Sequence, residues 1–565
     1  MMPQVEFSIN KITFSSNDTL ELEPNDLVVF VGPNNSGKSS TLREIICGCG
    51  DQSVGPVLKS VETSSNVDAT TVKPWLESNF NKTEGDNPQY GWIGTSIPEK
   101  QLSAYLARNF DVIAKFLLSL TDTESRLDVV KPQKATEIGK SPRHPFHVLF
   151  NEFEQEKELS GHFKAAFGFD LMLQRVGANV GLHLGQRDLQ IDSVLQSVER
   201  LSKLPKLEEQ GDGMKSFVGT LLNLTTSPGL IHLIDEPEAF LHPPQAQLMG
   251  RIIGDLHFEK AQGQLFIATH SGEVLKGLIE SKQNNLKIVR LTRSAAPSEE
   301  NRIKTLPTAS LKKLWDDPVM RFSNALDAIF HECCVICEFE ADCLFYWAVA
   351  DALNNDDAPD TMYLGAGGKH GTKKLVEALE SLGIPIAVVC DFDVLNDKDP
   401  LSNLVDLLGG SWSKIESDWK SLKQEVENKK PPLNKNQVDE KIKTILENES
   451  DDYISVETQE QIKDAIKAIS PWSEPKRLGI AYFDGGTESK VKAIISDLSK
   501  IGIWAVPVGE MEGFVSVFRT SNCKGSKWVA KVLREIDDLR SDSRLEKARE
   551  FMESVVASLI EKIKE

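Results

Sequence analysis

An apolar run, Leu27 to Val31, opens directly into Gly32-Pro33-Asn34-Asn35-Ser36-Gly37-Lys38-Ser39-Ser40, and this junction constrains the fold more than any other stretch of the chain. The spacing GxxxxGK[ST] needs glycines so that main-chain N–H groups can surround phosphates, a lysine to reach the β/γ-phosphates, and a hydroxyl for Mg²⁺. A strand, a loop and then a helix from near Ser39 is the order such a site requires, so Gly32, Asn34, Asn35, Ser36, Gly37, Lys38, Ser39 and Ser40 are candidate ATP contacts. Ser39 is also a candidate Mg²⁺ ligand. An α/β fold is expected around them.

About two hundred residues later, Leu233-Ile234-Asp235-Glu236-Pro237-Glu238 reads as an apolar strand ending in adjacent acids. Asp235 is placed to hold Mg²⁺ through water, and Glu236 to orient or deprotonate the attacking water. Thr269-His270-Ser271 follows the next strand-like run, which makes His270 a candidate γ-phosphate sensor. The stretch between the two motifs is a large insertion. Within it, 100 to 128 and 188 to 206 carry helical apolar spacing, and 129 to 147 reads as a loop.

These motifs resemble those of ABC-type ATPases of the SMC and recombination-repair kind. The resemblance implies two ATPase domains paired head to head, each completing its partner's nucleotide site with a signature loop. Gly211-Asp212-Gly213-Met214-Lys215-Ser216 stands where that loop is expected, although it departs from LSGGQ. Gly211, Gly213 and Lys215 are therefore candidate nucleotide contacts in trans, with Ser216 beside them.

A second set of strand-like runs begins at 333 to 340 and continues at 361 to 368, 385 to 393, 477 to 486 and 503 to 511, with helical runs between. That alternation predicts a mostly parallel, helix-covered sheet. The polar, Lys/Glu-rich segment 397 to 475 is expected to be a helical insertion. Acids gather at the strand ends: Glu338 and Glu340 with Asp342, then Asp391 and Asp393, then Glu510 and Glu512. Alternation along a strand would point Asp391 and Asp393 the same way. Converging carboxylates favour hard divalent cations, Mg²⁺ or Mn²⁺, and two such ions suit hydrolysis of a phosphodiester.

This array resembles the Toprim fold, except that Phe339 stands where glycine is common. An ABC ATPase followed by Toprim resembles the OLD (overcoming lysogenization defect) family of nucleases over nearly the whole chain. The resemblance implies that Glu338 and Asp342 serve one metal side, Asp391 and Asp393 the centre, and Glu510 or Glu512 the other. It also implies a basic residue that stabilises charge at the phosphate, for which Lys527 is the candidate and Lys531 the second. DNA and a second copy of the chain, as dimer or tetramer, are the implied partners. A role in anti-phage defence follows from the same resemblance, including service beside a retron reverse transcriptase with its RNA–DNA.

Length supports this division. A chain of 565 residues exceeds a single core, and the expected domains are 1–325, an ATPase with a partly helical lobe at about 100–206, and 326–565, a Toprim nuclease with C-terminal helices from 520. The net charge of −20 argues against coating nucleic acid over the whole surface but permits a local basic groove. No apolar run approaches the roughly 18 residues that span a bilayer, and MMPQVEFSIN does not read as a signal peptide, so a cytoplasmic protein without a membrane partner is expected. The eight cysteines include Cys334-x-x-Cys337, which has no matching second pair and reads as buried thiols rather than zinc ligands. The rival reading is a nucleotide-gated sensor or scaffold with an inactive Toprim domain.

Overall fold

The computed structural model describes residues 5–50, 52–83, 85–137, 140–186, 194–260, 263–294, 299–306, 316, 324–353, 358–429, 435–448, 453–467, 470–520 and 523–564. The chain divides into two compact units, Met1–Pro318 and Val319–Glu565. Part of the helical run expected at 188 to 206, residues 188–193, lies outside the described residues.

In the first unit a six-stranded sheet runs in the order Asn301–Leu306, Leu286–Arg293, Leu27–Val31, Gln264–Ala268, Ile231–Asp235, Leu118–Thr121. Only the pairing of the first two strands is antiparallel; the others are parallel. Leu27 to Val31 are all fully buried, as expected of a central strand covered on both faces. Phe30 stacks on Phe266 of the adjoining strand at 6.4 Å and meets Phe14 edge-on at 6.4 Å. Phe30 pairs with Ala268, and Ala268 with Asp235, so the loops after all three strands leave from one edge.

Leu118–Thr121 corrects the helical expectation for 100 to 128. Helices occupy Leu102–Arg108, Phe110–Leu117 and Thr123–Asp128, but the four residues between them form the edge strand beside Ile231–Ile234. The four residues, Leu118-Ser119-Leu120-Thr121, are too few for periodicity to separate strand from helix. The stretch 129 to 147 also holds the short strand Gln133–Lys134 and the start of helix Pro145–Asn151.

The second unit is built on four parallel strands in the order Thr361–Gly365, Cys333–Cys337, Ile386–Cys390, Ile503–Ala505. Cys333, Val335, Cys337 and Val389 join one core with Phe345, Tyr346, Trp528, Val532, Met552 and Leu559, from helices Glu340–Ala352, Ser526–Glu535 and Glu546–Lys564. The residues of opposite parity, Cys334, Ile336, Ile386 and Val388, are equally buried. Helices at Lys398–Leu407, Trp412–Lys429, Lys435–Glu447 and Val456–Lys467 fill the segment read as an insertion.

The run 477 to 486 is not the strand expected of it. Helix Ser473–Leu478 leads into a 3₁₀ turn at Gly479–Tyr482. Gly479 has φ 58°, and a Cβ there would lie 2.1 Å from the Pro507 carbonyl oxygen, so the chain turns against 507 to 509 instead of extending. Its apolar residues still reach a core: Phe483 is buried and packs on Phe392 at 6.1 Å.

Candidate functional site

The phosphate loop in the first unit is shaped by left-handed backbone at Gly32, Asn35 and Gly37, with φ of 138°, 61° and 94°. At Gly32 a Cβ would lie 2.1 Å from the Leu291 carbonyl oxygen, so only glycine lets the loop pass the neighbouring strand. Helix Lys38–Cys49 begins immediately after it. Lys38 is buried and its ammonium donates back to the carbonyls of Gly32 (2.8 Å) and Pro33 (2.7 Å), held where a β/γ-phosphate would replace them. Burial lowers its pKa to about 8 against the opposing fields of Glu236, Glu238 and Asp235. The Asn301 amide, not anticipated from sequence, braces the loop by donating to the Ser36 carbonyl at 2.6 Å. Asn34 and Asn35 are exposed, and Ser40 is half-buried.

The Ser39 hydroxyl donates to Asp235 Oδ1 at 2.8 Å, joining the two halves of the expected Mg²⁺ site. Glu236 follows with φ 49°, and its carboxylate lies 3.6 Å from His270 Nε2. Burial, and then Lys38, hold the His270 pKa below its usual value, so its imidazole is neutral at pH 7. Two contributors went unread in the sequence. Glu238 accepts hydrogen bonds from the Thr269 hydroxyl (2.9 Å) and the His270 N–H (2.8 Å), which fixes the Thr269–His270 turn. Arg126, fully buried, donates to the carbonyls of Asp235 and Glu236.

Gly211 caps helix Asp212–Thr226. Gly213 lies so close to the loop after Glu238 that a Cβ would be 2.7 Å from the Phe240 carbonyl oxygen, and the Ser216 hydroxyl donates to the Ala239 carbonyl at 2.9 Å. Lys215 pairs with Asp212 at 2.7 Å.

The first unit carries a P-loop ATPase domain. The model of a family described as "AAA domain, putative AbiEii toxin, Type IV TA system" matches residues 56–276, which include Asp235, Glu236 and His270. No curated protein matches the chain. Similar solved structures include an Smc head bound to the C-winged helix domain of ScpA, at 13% identity over 54% of this chain and 99% of that one, with a TM-score of 0.34. An SMC head domain from Thermotoga maritima has 13% identity over 54% of this chain and 100% of that one, TM-score 0.28. A dimeric ATP-binding cassette in a post-hydrolysis state bound to ADP and Pi has 13% identity over 54% and 99%, TM-score 0.26. Among the described residues no helix is long and apolar enough to cross a membrane.

Beyond the ATPase, the second unit collects acids at the carboxyl ends of its strands. Glu338, Asp391 and Asp393 each offer an oxygen within 4.8 Å of the others, close enough to share a cation. Asp391 and Asp393 do not owe this to strand alternation. The strand ends at Cys390, and a 3₁₀ turn over Phe392–Asn396 brings the two carboxylates together. Lys476 lies between them, 3.0 Å from Asp391 and 3.2 Å from Asp393. Burial raises the Asp391 pKa to about 8, with Lys476 pulling it down and Glu338 pushing it up. Although burial works against the Lys476 ammonium, Asp391 and Asp393 hold its pKa above the usual lysine value.

Asp342 sits on the first turn of helix Glu340–Ala352 and accepts the Phe339 N–H at 3.0 Å. Burial lifts its pKa to about 6, and Glu338 and Glu512 add to the rise. Phe339 itself has φ −138°, ordinary extended backbone, so no glycine is needed there. The close approach falls instead on Gly365 of the adjoining strand, where a Cβ would lie 2.9 Å from the Glu340 N.

Glu510 and Glu512 are not part of the three-carboxylate group. Glu510 is held by Arg519 and by Lys524 at 2.8 Å, and Glu512 accepts the Gly525 N–H at 2.8 Å. Each thus has one carboxylate oxygen, Oε1, engaged by a basic or main-chain donor. Lys527 is exposed, and the lysine touching an acid here is Lys524. Lys531 lies over the Phe518 ring at 5.4 Å. Cys334 and Cys337 are buried free thiols, both pushed well up by burial.

Proposed function

We propose that this chain is an ATP-dependent, metal-dependent DNA endonuclease of the OLD type, with the ATPase governing a Toprim nuclease site. The observation that carries the reading is the meeting of buried Glu338 with half-buried Asp391 and Asp393 at the carboxyl edge of a parallel sheet. Three carboxylates there repel one another unless a cation joins them, and Lys476 already occupies that role in part. The donor set is all oxygen, which suits Mg²⁺ or Mn²⁺.

Those three residues would hold the ion, which when bound supplies Lewis-acid stabilisation of the phosphodiester oxygens. Asp342, beside Glu338, is placed to accept a proton near neutral pH. Arg519, Lys524 and Lys527 offer cations to the DNA backbone. In the ATPase, Lys38, Ser39 and Asp235 hold ATP and Mg²⁺ while Glu236 and His270 orient water and sense the γ-phosphate. Gly211, Gly213 and Lys215 would complete the nucleotide site of a second copy. A defence role against phage, including work with a retron reverse transcriptase and its RNA–DNA, belongs to the same proposal.

The test is cleavage of supercoiled plasmid in Mg²⁺ or Mn²⁺ by wild type, Asp391→Ala and Lys38→Ala, each with and without ATP. Cutting by wild type that disappears in Asp391→Ala is expected. Equal cutting by Asp391→Ala, or none by wild type even with added DNA–RNA hybrid partners, would overturn the nuclease reading.

A further inference from the structure

Arg126 is a buried guanidinium whose donors go to three main-chain carbonyls, with Nη2 also reaching the Thr123 hydroxyl at 3.5 Å. Nη1 donates to the Glu236 carbonyl at 2.6 Å, Nη2 to the Asp235 carbonyl, and Nε to the Asp122 carbonyl at 3.0 Å. Desolvating a guanidinium is costly unless its donors are satisfied. Burial lowers its pKa, and Glu238, Asp235 and Glu236 oppose that change without forming an ion pair with it among the contacts described. Such a group is an expensive filler of space, and its targets are specific.

The two carbonyls it grips belong to the peptide planes on either side of the Glu236 Cα. Fixing both planes fixes φ and ψ of that residue. Glu236 needs the restraint: its φ of 49° is a left-handed conformation that L-residues disfavour, and Pro237 further narrows the conformations open to it. A third anchor, the Glu236 N–H, donates to the Ala268 carbonyl at 2.8 Å. Released from Arg126, the backbone would relax and swing the carboxylate away from His270.

Arg126 is also touched from behind. At Gly219, in helix Asp212–Thr226, a Cβ would lie 1.9 Å from the Arg126 carbonyl oxygen, so the helix packs directly on the backbone that carries the guanidinium. The same helix is capped by Gly211 and holds the Ala239 carbonyl through Ser216.

We propose that Arg126 is a positioning residue for ATP hydrolysis, holding Glu236 in its working conformation and tying it to helix Asp212–Thr226. This rests on the reading of Glu236 as the residue that orients the attacking water. A shift of that helix, as when a second copy engages its first turn, then moves the acid that directs the water.

The experiment compares wild type with Arg126→Gln, Arg126→Lys, Gly219→Ala and Glu236→Gln in steady-state ATP hydrolysis and in equilibrium binding of a fluorescent ATP analogue. Arg126→Gln is expected to lower kcat at least about tenfold while nucleotide Kd stays within about threefold, with Arg126→Lys intermediate. A purely structural role predicts parallel loss of kcat and affinity, and either that result or wild-type kcat in Arg126→Gln overturns the proposal. Wild-type kcat in Glu236→Gln would instead sink the underlying reading of Glu236. Should Arg126→Gln fail to fold, Gly219→Ala displaces the Arg126 backbone while keeping the guanidinium. Loss of kcat at retained affinity is then expected, and unchanged kcat overturns the link.

Discussion

Ser39 and Asp235 share a 2.8 Å hydrogen bond although 196 residues separate them. These two residues would together hold a Mg²⁺ ion, Ser39 through its hydroxyl and Asp235 through water. Asp235→Asn should retain metal-free nucleotide binding, lose the Mg²⁺-dependent gain in affinity, and turn over ATP about a hundredfold more slowly. Titration of nucleotide with and without Mg²⁺ checks this, and an unchanged Mg²⁺ increment would remove Asp235 from the ion's site.

Lys476 stands between Asp391 and Asp393 as an internal counter-charge. A divalent ion must compete with it. Lys476→Met is expected to bind Mn²⁺ several-fold more tightly and to melt at a lower temperature than wild type when metal is absent, because buried carboxylates lose their partner. Calorimetric Mn²⁺ titration together with melting in EDTA reads both effects. Equal or weaker Mn²⁺ binding in the variant would show that the lysine does not occupy the cation's place.

Gly509 has φ 102°, and a Cβ there would lie 2.2 Å from the Lys476 carbonyl oxygen. Gly509→Ala must strain the backbone or push the lysine's helix away, at a cost of about 2–4 kcal/mol. The expected result is at least a tenfold loss of plasmid cleavage with ATP hydrolysis kept within about twofold, since the ATPase lies in the other unit. Loss of both activities together would contradict this local role.

His144 caps helix Pro145–Asn151 by accepting the Phe146 N–H at Nδ1, 3.1 Å away, which requires the neutral ring. Burial first, and His147 second, lower its pKa from 6.5 to about 4. Between those values the unfolded chain binds the proton and the folded one does not, so stability is complete above about pH 6.5 and falls as pH drops toward 4. The full loss is on the order of 3 kcal/mol. His144→Asn keeps a capping acceptor and should flatten the urea midpoint between pH 7 and 4.5. An unchanged pH slope would assign the acid sensitivity elsewhere.

The phosphate loop was readable because its chemistry is local: nine contiguous residues, Gly32 to Ser40, specify turn, lysine and helix start together. The strand-end acids were also visible, but their grouping was not. Glu510 looks like Glu338 along the chain, and only the surrounding donors Arg519 and Lys524 distinguish them. Lys476 was missed because it lies at the end of a charge-rich helical segment where each lysine resembles a solvated one. Its signal was the pair Gly479 and Gly509, whose missing side chains let two distant stretches close together. At 118 to 121 and 477 to 486 the conformation differs from the expectation, because segments this short serve strand, helix and turn alike.

The wide separation of Ser39 from Asp235 also bears on the protein's birth. A ribosome adding about 5–20 residues per second exposes the phosphate loop roughly 10–40 seconds before it makes the acid that completes the ion site. The strands flanking Leu27–Val31 come later still, at Gln264–Ala268 and Leu286–Arg293. A nascent chain therefore carries a lysine and glycine loop with no sheet to hold it, and a chain cut short anywhere before Asp235 can display the motif without a working engine. Hydrolysis of ATP thus waits on Asp235 and on the two strands made after it, whatever the state of the phosphate loop before then.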